Sequence, residues 1–201
     1  MKKILLLIAV GVMFSVSSTA QLGIKAGMNF AKQSGYDIPG FSESTLDNFQ
    51  FEIFTYKDIV PLLKIRVGLG YVPKGSLYEN DNAYSEKKFN YLELPVLARV
   101  KLGPVYGLGG VYGAYAMNGN YKGNVLGVVV DRDIDFDADN VSRWDYGMKF
   151  GLGFQLGLGP IHAFAEADYS FGFNNLNTGS GNEVKNSSVI GVSVGVLLGG
   201  K

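Results

Sequence analysis

Three sets of residues in this chain have types and spacings that could do chemistry. His162 is the only histidine, and Glu166 and Ser170 follow it at i+4 and i+8. A Ser/His/carboxylate hydrolase needs these groups within hydrogen-bond reach. On an extended segment all three share one face, but eight residues separate His162 from Ser170 by roughly 26 Å at the usual strand rise. No triad forms along this segment, and a satisfied structural histidine is expected. There is no cysteine, which removes thiol chemistry and disulfides. No phosphate loop, His/Cys metal cluster or paired catalytic motif occurs, so a non-enzyme is expected.

The second set lies in VVVDRDIDFDAD, residues 128–139. Asp131, Asp133, Asp135, Asp137 and Asp139 alternate, and an extended chain would line them along one face. Calcium takes several oxygen ligands, so the row is a weak calcium candidate. It lacks the glycine at position six and the glutamate at position twelve that an EF-hand loop requires. A solvated hairpin is the favoured reading, with neither metal nor cofactor.

The third set is larger: Lys25, Glu52, Lys64, Arg66, Glu93, Arg99, Lys101, Arg143, Asp145, Lys149, His162, Glu166 and Asp168. Their meaning depends on the elements that carry them. YLELPVLARVKL (91–102) separates cleanly by parity. Leu92, Leu94, Val96, Ala98, Val100 and Leu102 are apolar, whereas Glu93, Arg99 and Lys101 fall on the other face. In RWDYGMKFGLGFQLGLG (143–159), Trp144, Tyr146, Met148, Phe150, Leu152, Phe154, Leu156 and Leu158 alternate with glycines and charges. Helical periodicity cannot produce such a split, but strands do.

The same alternation recurs at 21–31, 48–57, 63–74, 161–173 and 188–199, with a milder version at 105–118. In the last, Tyr106, Leu108, Tyr112 and Ala114 are assigned to the greasy side. Eight strands result, with no helix after residue 20. Long connections at 33–45, 76–86, 118–142 and 174–186 alternate with tight ones at 58–61, 103–104 and 158–160. This predicts an all-β, eight-stranded antiparallel up-and-down barrel with both termini on the short-turn side.

Three arguments place the greasy face outside, against lipid. An eight-stranded barrel has too narrow an interior for that many large side chains. Gly147, Gly151, Gly153 and Gly157 would serve no purpose on a solvated face, but inside they make room for Lys, Arg and Glu. Phe30, Phe49, Phe51, Tyr71, Trp144, Tyr146, Tyr169, Phe171 and Phe173 also cluster toward the long-connection rim, as an interfacial aromatic girdle would.

The charged set then faces the lumen. Desolvation forces such charges to pair. Glu52 is expected near Arg66, and Lys149 near Asp168 or Glu166. A packed polar lumen is favoured over an ion pathway. Pro95 has no amide to give a closed wall, so a bulge or a missing hydrogen bond is expected there.

The N-terminus reads as a secretory signal peptide over residues 1–20. Lys2 and Lys3 precede an apolar run from Ile4 to Phe14 and the small residues Ser18-Thr19-Ala20. The run is too short to span a bilayer. Residues 21–201 are then one domain. The whole chain has 18 basic and 18 acidic residues, and losing Lys2 and Lys3 leaves it slightly acidic, with nothing to attract nucleic acid. Aromatics reach 13%, unlike a disordered chain.

The chain resembles the outer-membrane β-barrel domain proteins common in Bacteroidetes, often labelled porin-family and akin to the OmpA-like eight-stranded barrel. The resemblance rests on STAQ, GIKAGMNF (23–30), VGLGYVPKGS (67–76), YLELPVLARVKL (91–102), GLGFQLGLG (151–159), EADYSFGFNNL (166–176) and the closing GVSVGVLLG. The closing LLGGK lacks the final aromatic of many such barrels. The resemblance implies a Gram-negative outer-membrane protein with periplasmic termini, inserted by the barrel-assembly machinery and surrounded by outer-membrane lipid. A structural or surface-interaction role is expected, with an extracellular partner meeting the 118–142 loop. The alternatives are a narrow solute channel or an accessory component of an envelope export system.

Overall fold

Each alternating segment becomes one long strand, and two short strands extend the connections. The structure, a computed structural model, describes residues 21–34, 42–80, 83–125, 128–159, 161–179 and 183–199; the expected signal peptide lies outside the described residues. In chain order the strands are β1 (Gln21–Ser34), β2 (Ser42–Ser44), β3 (Leu46–Val60), β4 (Leu63–Asn80), β5 (Ala83–Leu102), β6 (Val105–Val125), β7 (Val128–Asp133), β8 (Trp144–Leu158), β9 (Ile161–Gly172) and β10 (Lys185–Leu198).

Eight of them close a ring by antiparallel pairing, in the order β1, β3, β4, β5, β6, β8, β9, β10 and back to β1. The fold is an eight-stranded antiparallel barrel. β2 adds to β4, and β7 adds to β6. The turns Val60–Leu63, Leu102–Val105 and Leu158–Ile161 lie at the same end as Gln21 and Leu198. Gly103 and Gly159 occupy φ of 64° and 72° in two of these turns, where a side chain would strain the backbone.

The parity argument is realised over most of the wall. Leu22, Met28, Phe49, Leu94, Val96, Leu152, Val192 and Val194 are exposed on the outside, and Lys25, Glu52, Arg66, Glu93, Arg99, Lys149, Glu166 and Asp168 are buried inside. One strand corrects the sequence reading. Tyr106, Leu108, Tyr112 and Ala114 of β6 point inward, while Val105 and Val111 face out. The two faces of β6 are so alike in hydropathy that side-chain type could not orient it.

One connection expected as a loop, 76–86, is strand, and the hairpin favoured for 128–139 is present in β7 and the end of β6. β4 and β5 pair on through 76–86, from Ser76↔Lys87 to Asn80↔Ala83. β6 runs on to Val125 and β7 returns beside it. One side of the barrel is therefore tall, with 20 and 21 residues in β5 and β6 against 12 and 14 in β9 and β10. The 76–86 hairpin has no row of large apolar residues on one face, so its polar sequence reads as loop.

Pro95 interrupts hydrogen bonding without shifting register. The β4–β5 ladder pairs Val67↔Val96 and Gly70↔Glu93 in a single register, and the two pairs between them are missing. Of the two outcomes expected, this is the missing bond. The bulge in β5–β6 falls between Asn90 and Tyr91, where β6 inserts Met117 as an extra residue.

Candidate functional site

The lumen is stacked in layers. At the short-turn end it is closed by apolar and aromatic side chains: Phe54, Tyr56, Phe164 and Leu197 in one cluster, Leu97, Tyr106 and Leu108 in another. Arg99 sits among them, 4.0 Å from the Tyr106 ring centroid and 4.7 Å from that of Tyr56, and it donates to Gln155. Arg66 lies 3.8 Å over Phe54. Stacked guanidinium groups keep partial electrostatic support where water is excluded.

Two ionic layers follow. In the first, Lys25 lies 2.5 Å from Glu166, 3.2 Å from Asp168 and 3.4 Å from Glu52. Arg66 bridges Glu52 at 2.7 Å and Glu166 at 2.8 Å, and the Tyr106 hydroxyl donates to Glu166 at 3.1 Å. In the second, Lys74 lies 2.8 Å from Glu93 and 2.9 Å from Asp145, and Lys149 pairs with Glu93. Asp145 also accepts from Asn186 at 2.9 Å and Tyr112 at 3.2 Å. Among the described residues the buried charges are Lys25, Arg66, Lys74, Arg99 and Lys149 against Glu52, Glu93, Asp145, Glu166 and Asp168, so their formal charges cancel. A buried ion is tolerable only with such partners.

Glu52 and Arg66 thus come together. Lys149 pairs directly with Glu93, while Glu166 pairs with Lys25 and Arg66 and Asp168 with Lys25; Asp168 stays within electrostatic reach of Lys149, so the expected proximity holds but the direct ion pair is a different one. Counting residues along two hairpins gives neighbours on adjacent strands but not contacts across a lumen. Lys74 shares the polar face of its strand and joins the network although its distance from Arg66 along β4 hid its role. Lys64, Lys101, Arg143 and His162 are only half-buried, and Lys64 pairs with Asp58 at 2.8 Å.

The glycines make room for charged groups, as at Gly151 beside Asp168 and Gly68 beside Glu52, and also for rings. Gly153 lies opposite Tyr106, Gly23 opposite Phe54 and Gly195 opposite Phe164. A Cβ on these glycines would meet the facing ring at 2.1, 2.2 and 2.4 Å, respectively. Aromatic rings lie flat across glycine on the neighbouring strand. Parity places Phe54, Tyr56 and Phe164 inside, and that signal was available in the sequence.

At the long-connection end, Phe89, Tyr91, Tyr112, Ala114, Ala116, Ile134 and Phe136 form a cap over the lumen. Segments 134–142 and 174–179 are laced together: Ser142 N donates to Leu176 O at 2.7 Å, and Thr178 N to Asn140 O at 2.8 Å. The aspartate row does not form here. Only Asp131 and Asp133 lie on β7; Asp135 receives the amides of Asp137 and Ala138, and Asp139 binds Arg132 through two bonds of 2.8 and 2.9 Å. Among the described residues no cluster fit for a metal ion occurs. The paired hydrogen bonds from Arg132 hold the Asp139 carboxyl below its usual range, and Asp139 raises Arg132 in turn.

Outside, aromatic side chains gather toward the same end. Phe51↔Tyr71↔Leu92↔Tyr115↔Trp144 form one cross-strand row, with Tyr115 and Trp144 edge to face at 5.1 Å. Tyr169, Phe171 and Phe173 form a chain of contacts on β9 and just beyond it, and Phe171 stacks on Phe150. Phe49, Trp144, Tyr146 and Tyr169 are exposed; Phe30, Tyr71 and Phe171 are half-buried.

A closed barrel with its apolar side chains outside and its charges inside is the pattern of a membrane-spanning wall. The family model described as outer membrane protein beta-barrel domain matches residues 8–178. The chain belongs to this family. No curated protein matches it in sequence. Among solved structures it is similar to Neisserial surface protein A (NspA), at 18% identity and a TM-score of 0.46, over 89% of this chain and 97% of that one. It is also similar to Ail, the attachment invasion locus protein of Yersinia pestis, at 14% identity and a TM-score of 0.44, over 89% and 99%. The family's setting is the outer membrane.

Proposed function

We propose that this outer-membrane barrel is a non-conducting, non-catalytic surface protein, with its termini in the periplasm and its tall wall outside the cell. It is made with a signal peptide ending near Ala20, inserted by the barrel-assembly machinery and solvated by outer-membrane lipid. The observation that carries the reading is the lumen: among the described residues it buries five cations and five anions, four of the cations in ion pairs and Arg99 against tyrosine rings and Gln155, and aromatic clusters close it at both ends. An open pore needs solvated charges and a water column, and small barrels whose side chains fill the interior have neither. Any partner then meets the part that projects, the β6–β7 hairpin within 118–142.

Planar-bilayer recording on the refolded barrel tests this. Only background current is expected. Steady, solute-sized conductance steps would sink the sealed-lumen reading and make the chain a narrow channel.

A further inference from the structure

We infer that the fork where β6 changes partner is a binding notch for the sugar headgroup of an outer-leaflet glycolipid. The inference rests on the proposal that the aromatic rows mark the outer membrane interface.

β6 pairs with β8 up to Tyr115↔Trp144 and with β7 from Asn120↔Asp133 onward. Between these points two backbone bonds bridge the wall: Ala116 N to Arg143 O at 2.7 Å and Ile134 N to Gly119 O at 2.9 Å. The bulged Met117 and the adjacent Asn118 have no neighbouring strand on that side. The resulting notch measures about 400 Å³ and is lined by Asn90, Asn118, Asn120, Asp133, Phe136 and Arg143, with Met117 at its lip. That volume lies within the roughly 300–1,000 Å³ typical of small-molecule sites.

The lining chemistry suits a sugar. Asn90, Asn118 and Asn120 present neutral carboxamides, each able to donate and accept, as vicinal hydroxyls do. Asn90 donates to Asn118 at 2.6 Å and accepts from Tyr71 at 2.8 Å; Asn120 donates to Asp131 at 2.9 Å. These bonds leave the Asn118 amide nitrogen and the Asn120 oxygen without a partner among the described residues. Arg143 and Asp133 oppose each other in charge, so a bare phosphate gains little. Phe136 is buried beneath the notch with the Arg143 guanidinium 4.0 Å over its ring, so a sugar meets the guanidinium, whose N–H groups suit hydroxyl oxygens, while the exposed Met117 supplies the apolar edge.

The position selects the source. Met117 stands two residues beyond Tyr115, about 7 Å along the strand. Tyr115 packs on Trp144, which is 51% exposed, and Tyr71 of the same row bonds to Asn90. An acyl chain lying against Trp144 would put its headgroup at the notch.

Trp144, the only tryptophan, is the reporter. The full barrel is refolded in phosphatidylcholine vesicles. It is titrated with lipopolysaccharide, with the deacylated core oligosaccharide, and with phosphatidylglycerol vesicles. A saturable change in Trp144 emission with lipopolysaccharide is expected. The double substitution Asn118→Leu, Asn120→Leu should weaken it about tenfold, as losing one or two hydrogen bonds would. Lys122→Leu, on the same strand but outside the notch, should leave it unchanged. Equal half-saturation with the deacylated oligosaccharide would overturn the lipid source and leave a soluble glycan. A response to phosphatidylglycerol as strong as to lipopolysaccharide overturns sugar recognition. So does no saturable response in a sample that still shifts with heating on a gel. A sample without that shift overturns the barrel reading and the notch with it.

Discussion

Glu93 shows how much rests on one side chain. It neutralises Lys74 at 2.8 Å and also holds Lys149, both inside a wall that water does not reach. Removing one partner from a buried ion pair leaves an unpaired charge, at a cost of about 3–5 kcal/mol. Glu93→Ala should therefore lower the urea midpoint of the refolded barrel by a corresponding amount; an unchanged midpoint would show that the second ionic layer adds nothing. The Arg132–Asp139 pair behaves differently because it is exposed. Its folded carboxyl is held below the unfolded value, so its contribution is present above the ordinary carboxylate range and lost as pH falls through the lower, folded value. Amide protection factors at Asp139 and Asn140, corrected for the intrinsic pH dependence of exchange, should hold at about pH 5 and fall only below roughly pH 4. A fall in protection between about pH 6 and pH 5 would contradict the pinning role. Salt should weaken the same pair, as it does other solvated ion pairs.

At the scale of strands, the ring-across-glycine pairs set what each position tolerates. Gly153→Val would drive into the Tyr106 ring and displace its hydroxyl from Glu166. Overpacking of this kind costs about 1–3 kcal/mol, and thermal unfolding of the refolded barrel measures it. A Cβ added at Gly107 would meet no atom within 4 Å, so the same substitution there serves as the permissive control. These pairs also mark the limit of reading from sequence. The alternation in 143–159 fixes strand and face together, because large apolar residues occupy one parity and glycine or charge the other. β6 defeats the same logic, since tyrosine, leucine and alanine suit a lumen as well as lipid. Contacts such as Lys149 with Glu93 depend on the stagger of the ring, which no single segment encodes.

For the molecule as a whole, the unequal wall heights predict a sidedness that can be probed without background, because the chain has no cysteine. Val129→Cys on β7 should react with a membrane-impermeant maleimide on intact cells. Leu62→Cys in a short turn should react only after the outer membrane is permeabilised. The reverse pattern would invert the proposed orientation. Both positions are exposed, at 65% and 60%, so access depends on the side of the membrane alone.

Closure of the ring has a consequence for how the molecule is made. Seven of its eight ladders join strands that follow one another around the sequence, and only β1–β10 joins the two extremes of the barrel. That ladder keeps one register from Leu22↔Leu198 to Lys32↔Ser188. Before it forms, the chain is a curled sheet with two bare edges, each open to pairing with the wrong neighbour. The entropy of bringing distant ends together falls on this step alone. Assembly therefore has a single committing event, a zip along β1, and until it happens every other correct pairing remains exposed to mispairing at those two edges.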